Sequence, residues 1–200
     1  MKNAVVVKQL MFNALMVLGL SACSSAVELK YYQLPVPASS SENTASKDAA
    51  VLIVEPVMVA NYLNTNALIL QTSQVELYRT QQHQWLEALD QQLNRILVNE
   101  LQAKLPETSV TTAEFAVKSA TPSAQRLLVQ IAEFHGTEQG MVILSGRYSW
   151  LVDGGVQLRQ FRIELPQPEA GYPAMVQTMG KAVSTLSGQI AEQLKSQQLK

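Results

Sequence analysis

Two apolar stripes at helical spacing set the strongest limit on what this chain can fold into. Trp85, Leu86, Leu89, Leu93, Ile96, Leu97, Leu101 and Leu105 recur at steps of three and four, which predicts an amphipathic helix from about Gln82 to Leu105. Pro106 blocks its continuation, because proline lacks the N–H that the next turn needs. A second stripe runs through Tyr172, Met175, Val176, Met179, Val183, Leu186, Ile190 and Leu194, with Gln, Lys and Ser on the opposite face. A helix with one apolar side must cover something apolar. The segments between and before the stripes are rich in strand formers, so each helix has a sheet face to cover.

The strand-like segments follow in order. Lys30-Tyr31-Tyr32-Gln33-Leu34 reads as a first strand. Val51-Leu52-Ile53-Val54 is a run of four apolar residues, as expected of a strand buried on both faces, and pairing should loosen at Pro56. Ala67–Gln71 and Val75–Arg79 read as a hairpin or as one strand with a kink, and a short strand is expected around Ser109–Thr112. Arg126–His135 and Met141–Val152 are longer strands. Asp153-Gly154-Gly155 then provides a tight turn into a return strand, Val156–Leu165. The apolar parity of that return strand changes between Val156/Leu158 and Phe161/Ile163/Leu165, which predicts a bulge near Arg159-Gln160. The expected class is therefore α+β, a mixed α/β sandwich: one twisted sheet with a β-hairpin, covered by two long amphipathic helices. Pro37–Ala49, rich in Ser, Ala and Asn, reads as a loop.

The N-terminus carries a different signal. Lys2 and Lys8 precede an apolar run that ends in Leu20-Ser21-Ala22-Cys23, and no acidic residue occurs before Glu28. Basic, apolar and small-residue regions in that order make a secretory leader. The cleanly apolar part, Ala14–Leu20, is too short to span a bilayer, which takes about 20 residues. Cys23 is the only cysteine, so no disulfide can staple the fold. The expected division is a leader over 1–22, a tether over 23–28 and one periplasmic domain over 29–200. The chain carries 15 basic and 16 acidic residues. Without Lys2 and Lys8 the balance is 13 against 16, or −3, and no clustered basic excess marks a nucleic-acid surface.

Few residues are suited to catalysis. His83 and His135 are the two neutral-pH bases, far apart in sequence. No Gly-x-Ser-x-Gly elbow, His-Glu-x-x-His pair, phosphate-binding loop or dinucleotide turn occurs. His135 reads as a strand-end residue rather than a ligand, since a metal site needs partners at ligand spacing. No enzyme, metal or cofactor is expected. Tyr31, Tyr32, Tyr78, Arg79 and Trp85 are instead of the types enriched at interface cores, and they are the expected partner contacts. Trp85 has the alternative role of closing the core.

The Leu-Ser-Ala-Cys box resembles the lipobox of bacterial lipoproteins. That resemblance implies acylation of Cys23, palmitate included, with three chains in all. Ser24, where an aspartate favours inner-membrane retention, implies the outer membrane facing the periplasm. Beyond the box, Tyr31-Tyr32-Gln33-Leu34-Pro35, the Val51–Val59 strand, Tyr78-Arg79, His83-Gln84-Trp85-Leu86 and the Leu-rich helix resemble the ABC-type transport auxiliary lipoproteins, in particular those of the paraquat-inducible (Pqi) system. The family's usual arginine before the tryptophan is Gln84 here. The resemblance implies a non-enzymatic accessory subunit that docks a mammalian-cell-entry (MCE) protein in intermembrane phospholipid transport, and it implies homo-oligomers. The alternative roles are a structural or assembly lipoprotein of another envelope complex and, further off, a periplasmic hydrolase.

Overall fold

The computed structural model describes residues 28–36, 49–116, 124–152 and 155–198. Cys23, the leader, most of the Pro37–Ala49 loop and the turn residues Asp153 and Gly154 lie outside the described residues. The strands are β1 (Lys30–Tyr32), β2 (Ala50–Val54), β3 (Met58–Val59), β4 (Ala67–Gln71), β5 (Leu77–Trp85), β6 (Thr108–Thr112), β7 (Gln125–Thr137), β8 (Met141–Val152) and β9 (Gly155–Pro166). The helices are α1 (Leu89–Lys104), a single turn α2 (Ala113–Ala116) and α3 (Tyr172–Gln198).

All nine strands join one mixed sheet, the α+β layout expected. Its spine is β7. Along one edge β7 pairs in parallel with β2, then β3, then β4, from its start to its end. Along the other it pairs antiparallel with β8, which pairs antiparallel with β9. β6 flanks β2, while β5 and then β1 flank β4. The run Leu52-Ile53-Val54 is buried because β2 lies between β6 and β7. The gap between β2 and β3 falls at Glu55-Pro56-Val57, where proline cannot donate a ladder bond.

The two long helices pack beside each other over the sheet, α3 against β7, β8 and β9 and α1 against β2, β3 and β6. Leu93, Ile96, Leu97 and Leu101 of α1 and Met179, Val183, Leu186 and Ile190 of α3 meet Leu127, Val129, Ile131, Leu144 and Trp150 in one buried cluster. A clasp ties β1 to both helices. Leu34 N–H donates to Gln92 Oε1 of α1 at 2.8 Å, and Pro35 lies so close to Gly180 of α3 that a Cβ there would come within 2.3 Å of its ring.

Three details differ from the sequence reading. The first helix begins at Leu89, not near Gln82, because β5 runs on to Trp85; the buried indole sits at the helical interval only by coincidence, and Leu86 is exposed. Ala113–Ala116 forms a helical turn where only strand and loop were expected. The expected bulge at Arg159-Gln160 is absent, since every residue of β8 has a β9 partner, from Met141↔Pro166 to Val152↔Gly155. The parity change instead means that Phe161 and Ile163 face the helices while Val156 and Leu158 point to the open face, where both are exposed. The register shift lies in β7, between Ile131 and Glu133, and it returns Phe134 to the buried side.

Candidate interaction site

A local irregularity in β5 builds the site. Ile69 pairs with Arg79 and Ala67 with Gln84, so Thr80–His83 all lie opposite the single residue Leu68. Such an insertion would leave carbonyls without ladder partners. Buried Thr80 answers this with its hydroxyl, which bonds the Leu68 carbonyl at 3.0 Å and the His83 carbonyl. The bulge carries His83 to the start of α3.

There His83 stacks on Tyr172, with ring centroids 3.7 Å apart and planes at 23°. Its Nδ1 lies 2.8 Å from the Tyr32 hydroxyl. Burial, and then the Lys30 ammonium, lower the His83 pKa, so the ring is neutral at pH 7 and Nδ1 accepts the Tyr32 proton. Burial raises the pKa of Tyr172, with Tyr78 and Tyr32 adding to it. The cluster is therefore an uncharged aromatic stack. Tyr78 and Tyr31 are exposed beside it, 47% and 56%, and Arg79 is exposed on the same strand.

Of the residues singled out in the sequence, Tyr32 and Tyr78 are brought together, joined by His83 and Tyr172, which sequence reasoning did not assign to the site. Tyr31 and Arg79 lie on the adjoining strands. Trp85 is set apart: it is 4% exposed and belongs to the core cluster. Gln92, fully buried on α1, was missed because a polar residue on a core stripe reads as an interruption. Its carboxamide bonds Leu34 N–H and the Glu87 carbonyl.

The other histidine is buried in a polar group on the sheet face away from the helices. Ser145 Oγ donates to Glu133 Oε2 at 2.6 Å, Arg162 pairs with the same carboxylate, and His135 Nε2 is 3.9 Å from Glu133 Oε1. Burial favours the neutral Glu133 acid, but the Ser145 and Arg162 contacts outweigh it and the pKa is lowered. A nucleophilic triad needs serine on histidine and histidine on the acid. Here the serine bonds the acid directly, and His135 Nδ1 lies against the Gly136 carbonyl, so serine activation is not assembled. Among the described residues no group of three or more His, Cys, Asp or Glu side chains is placed to hold a metal.

Both histidines have lowered pKa values, burial being the first cause in each. The unfolded chain therefore binds more protons just below the ordinary histidine pKa of about 6.5. Their contribution is complete above that value and is lost as pH falls through the range below it. The melting temperature is expected to drop between pH 7.5 and 5.5, with a shallower drop in a His83→Asn/His135→Asn variant. An equal slope in the variant would assign the acid sensitivity elsewhere.

A lone sheet covered by two helices, with an aromatic stack where β1, β5 and α3 meet, defines a two-layer α+β domain. The sequence matches the family described as ABC-type transport auxiliary lipoprotein component over residues 32–191, and the chain belongs to that family. Among its relatives is the intermembrane transport lipoprotein PqiC of Escherichia coli (strain K12), 38% identical over 182 residues that cover 89% of this chain and 93% of that protein. PqiC of Shigella flexneri matches to the same extent. A crystal structure of an uncharacterized protein superposes with a TM-score of 0.71 at 31% identity, covering 84% of this chain and 99% of that one. Protein XCC0632 from Xanthomonas campestris shares the fold, with a TM-score of 0.64, 14% identity and coverage of 84% and 99%. No helix among the described residues is long and apolar enough to cross a membrane.

Proposed function

We propose that this protein is an outer-membrane-anchored, non-enzymatic docking subunit of an MCE-type intermembrane phospholipid transport system, held by acyl chains on Cys23 and facing the periplasm. The observation that carries the reading is the layout of the domain. The chain reaches β1 seven residues after Cys23, and β1 runs antiparallel to β7, so its beginning points toward the end of the sheet where β7 finishes. Exposed Leu151, Val156 and Leu158 lie at the opposite end, on the β8–β9 hairpin. A domain tethered at one end with apolar side chains displayed at the other is arranged to meet a partner that comes from across the periplasm. Tethering also raises the local concentration of that face for a spanning partner. The relatives' description as intermembrane transport lipoproteins supports the same role.

Affinity capture of the tagged protein from detergent-solubilised envelopes is expected to recover an MCE-domain protein, and the yield is expected to fall when Leu151 and Val156 are both changed to Ser. Recovery of no MCE-domain protein would overturn the docking role. Mass spectrometry of the native protein is expected to find Cys23 at the N-terminus and acylated.

A further inference from the structure

The end of the domain nearest the tether has a composition that the docking role leaves unexplained. The register defines this end. Gln71 of β4 lies beside Thr137, the last residue of β7, and Leu77 of β5 lies opposite Gln71. Glu138 N–H donates to the Gln71 carbonyl at 3.0 Å and Gln167 N–H to the Gly140 carbonyl at 2.8 Å. The β4–β5 turn, the β7–β8 turn and the approach to α3 therefore share one end of the sheet. β1 is parallel to β5, so its beginning, with Glu28 and Leu29, points to that end too.

Exposed apolar and aromatic side chains stand at the β4–β5 turn: Val75 at 95%, Tyr78 at 47% and Leu77 at 42%. Leu29 and Tyr31, also exposed, lie farther along the sheet, because β1 pairs with the other end of β5, Tyr31 opposite Gln84. A group of this kind on a soluble domain marks a contact surface. Tyrosine in particular suits a boundary where one side is apolar and the other wet.

The short tether identifies the occupant. Cys23 precedes Glu28 by five residues, which span at most about 18 Å when fully extended. The β8–β9 hairpin stands away from this end by most of the length of β7, 13 residues, or roughly 40 Å at strand rise. If acyl chains hold Cys23 in the bilayer, the β4–β5 turn end, toward which the start of β1 points, is the part of the domain that stays within reach of the headgroups. The charges there exclude a mainly electrostatic attraction: Lys30 and Arg79 are met by Glu28, Glu76 and Glu138.

We infer that this end rests directly on the phospholipid surface, with Val75, Leu77 and Tyr78 in the headgroup region, and that this contact holds the domain upright with its hairpin toward the periplasm. The ligand class is a zwitterionic phospholipid surface, recognised by aromatic and apolar side chains. The inference rests on the reading of Cys23 as the anchor. It adds a second membrane contact and fixes an orientation that a flexible tether alone does not supply.

The test uses the full mature lipoprotein in vesicles of phosphatidylethanolamine and phosphatidylcholine, with no other protein present. An acylated Cys23 leaves no free thiol, so a cysteine introduced by Val75→Cys, Leu77→Cys or Leu158→Cys takes a fluorophore at one place. Bromine-labelled phospholipids are expected to quench the probes at 75 and 77 about twofold or more, equally in low and high salt, and to leave the probe at 158 unchanged. Vesicle flotation separates the two readings. Protein that fails to float overturns the anchor and the inference with it. Protein that floats with all three probes equally bright overturns the membrane contact alone, as does quenching lost in high salt. Probes at 75 and 77 that respond only when an MCE-domain protein is added would assign this end to a protein partner.

Discussion

Trp85→Ala is expected to lower the unfolding free energy by about 3–5 kcal/mol, the usual cost of truncating a fully packed aromatic side chain. The indole is 4% exposed and packs in the cluster that holds Leu89, Leu93 and Leu97. Its backbone N–H is also bonded, to the Asn66 carbonyl at 2.5 Å, so the strand holds the side chain in place and the site cannot easily collapse. For a chain of this size the loss corresponds to a fall in melting temperature of roughly 10 °C, measurable by circular dichroism or calorimetry. Trp85→Phe should retain much of the stability, because most of the volume is kept. The experiment also decides between two roles for this residue. If Trp85 met a partner, the alanine variant would melt like the wild type and lose only partner capture. A melting temperature within about 1 °C of wild type would sink the core assignment, given the size of the expected effect.

Gly146→Ala is expected to cost about 3 kcal/mol or more, at the upper end of overpacking effects. A Cβ at this position would lie 2.1 Å from the Gln130 carbonyl oxygen and 3.0 Å from Phe161 Cζ. The oxygen belongs to the backbone of β7, which is fixed by ladders on both of its edges, so it cannot rotate aside as a side chain would. The close approach has a local cause. Gly146 pairs with Ile131 just before the register shift in β7, and the extra residue of a bulge draws the strands out of even spacing. Urea unfolding should show a lower midpoint with an unchanged slope. Gly140→Ala is the useful contrast. Gly140 has a φ of 75°, yet nothing lies within 4 Å of its missing Cβ, so only backbone strain is added, about 1 kcal/mol. Equal stability losses in the two variants would mean that the β7 shift is not where Gly146 is needed.

These two residues show how far one-dimensional reasoning reached. The helical stripes were legible because burial repeats along a helix with a fixed period, and α3 starts at Tyr172 where its stripe starts. The run Leu52-Ile53-Val54 was legible because only a central strand buries consecutive apolar residues. Trp85 misled because a strand residue can fall at a helical interval from the helix that follows it. Val156 and Leu158 misled in a different way. Their parity was read correctly, but it was explained by a bulge, on the assumption that every apolar residue faces the core. The ladder runs unbroken and carries both residues to the open face instead.

The candidate site was legible only in pieces. Tyr32, Tyr78 and the bases His83 and His135 all stood out by residue type. That His83 meets Tyr32 and Tyr172 depends on Thr80–His83 bulging opposite Leu68, and nothing in their order along the chain marks that insertion. His135 was placed correctly at a strand end, but its neighbours Glu133, Ser145 and Arg162 come from three strands.

Local chemistry thus dictated the elements: period, proline stops and turn glycines act over a few residues, and their meaning survives without the fold. What only the folded chain decided is adjacency. The parallel arrangement of β2, β3 and β4 along β7 joins residues more than 60 positions apart, and such pairings are selected by how all the apolar faces close together rather than by any one segment. That closure sets the β4–β5 turn and the Val152–Gly155 pair of the β8–β9 hairpin at opposite ends of one sheet, and so gives the domain its direction.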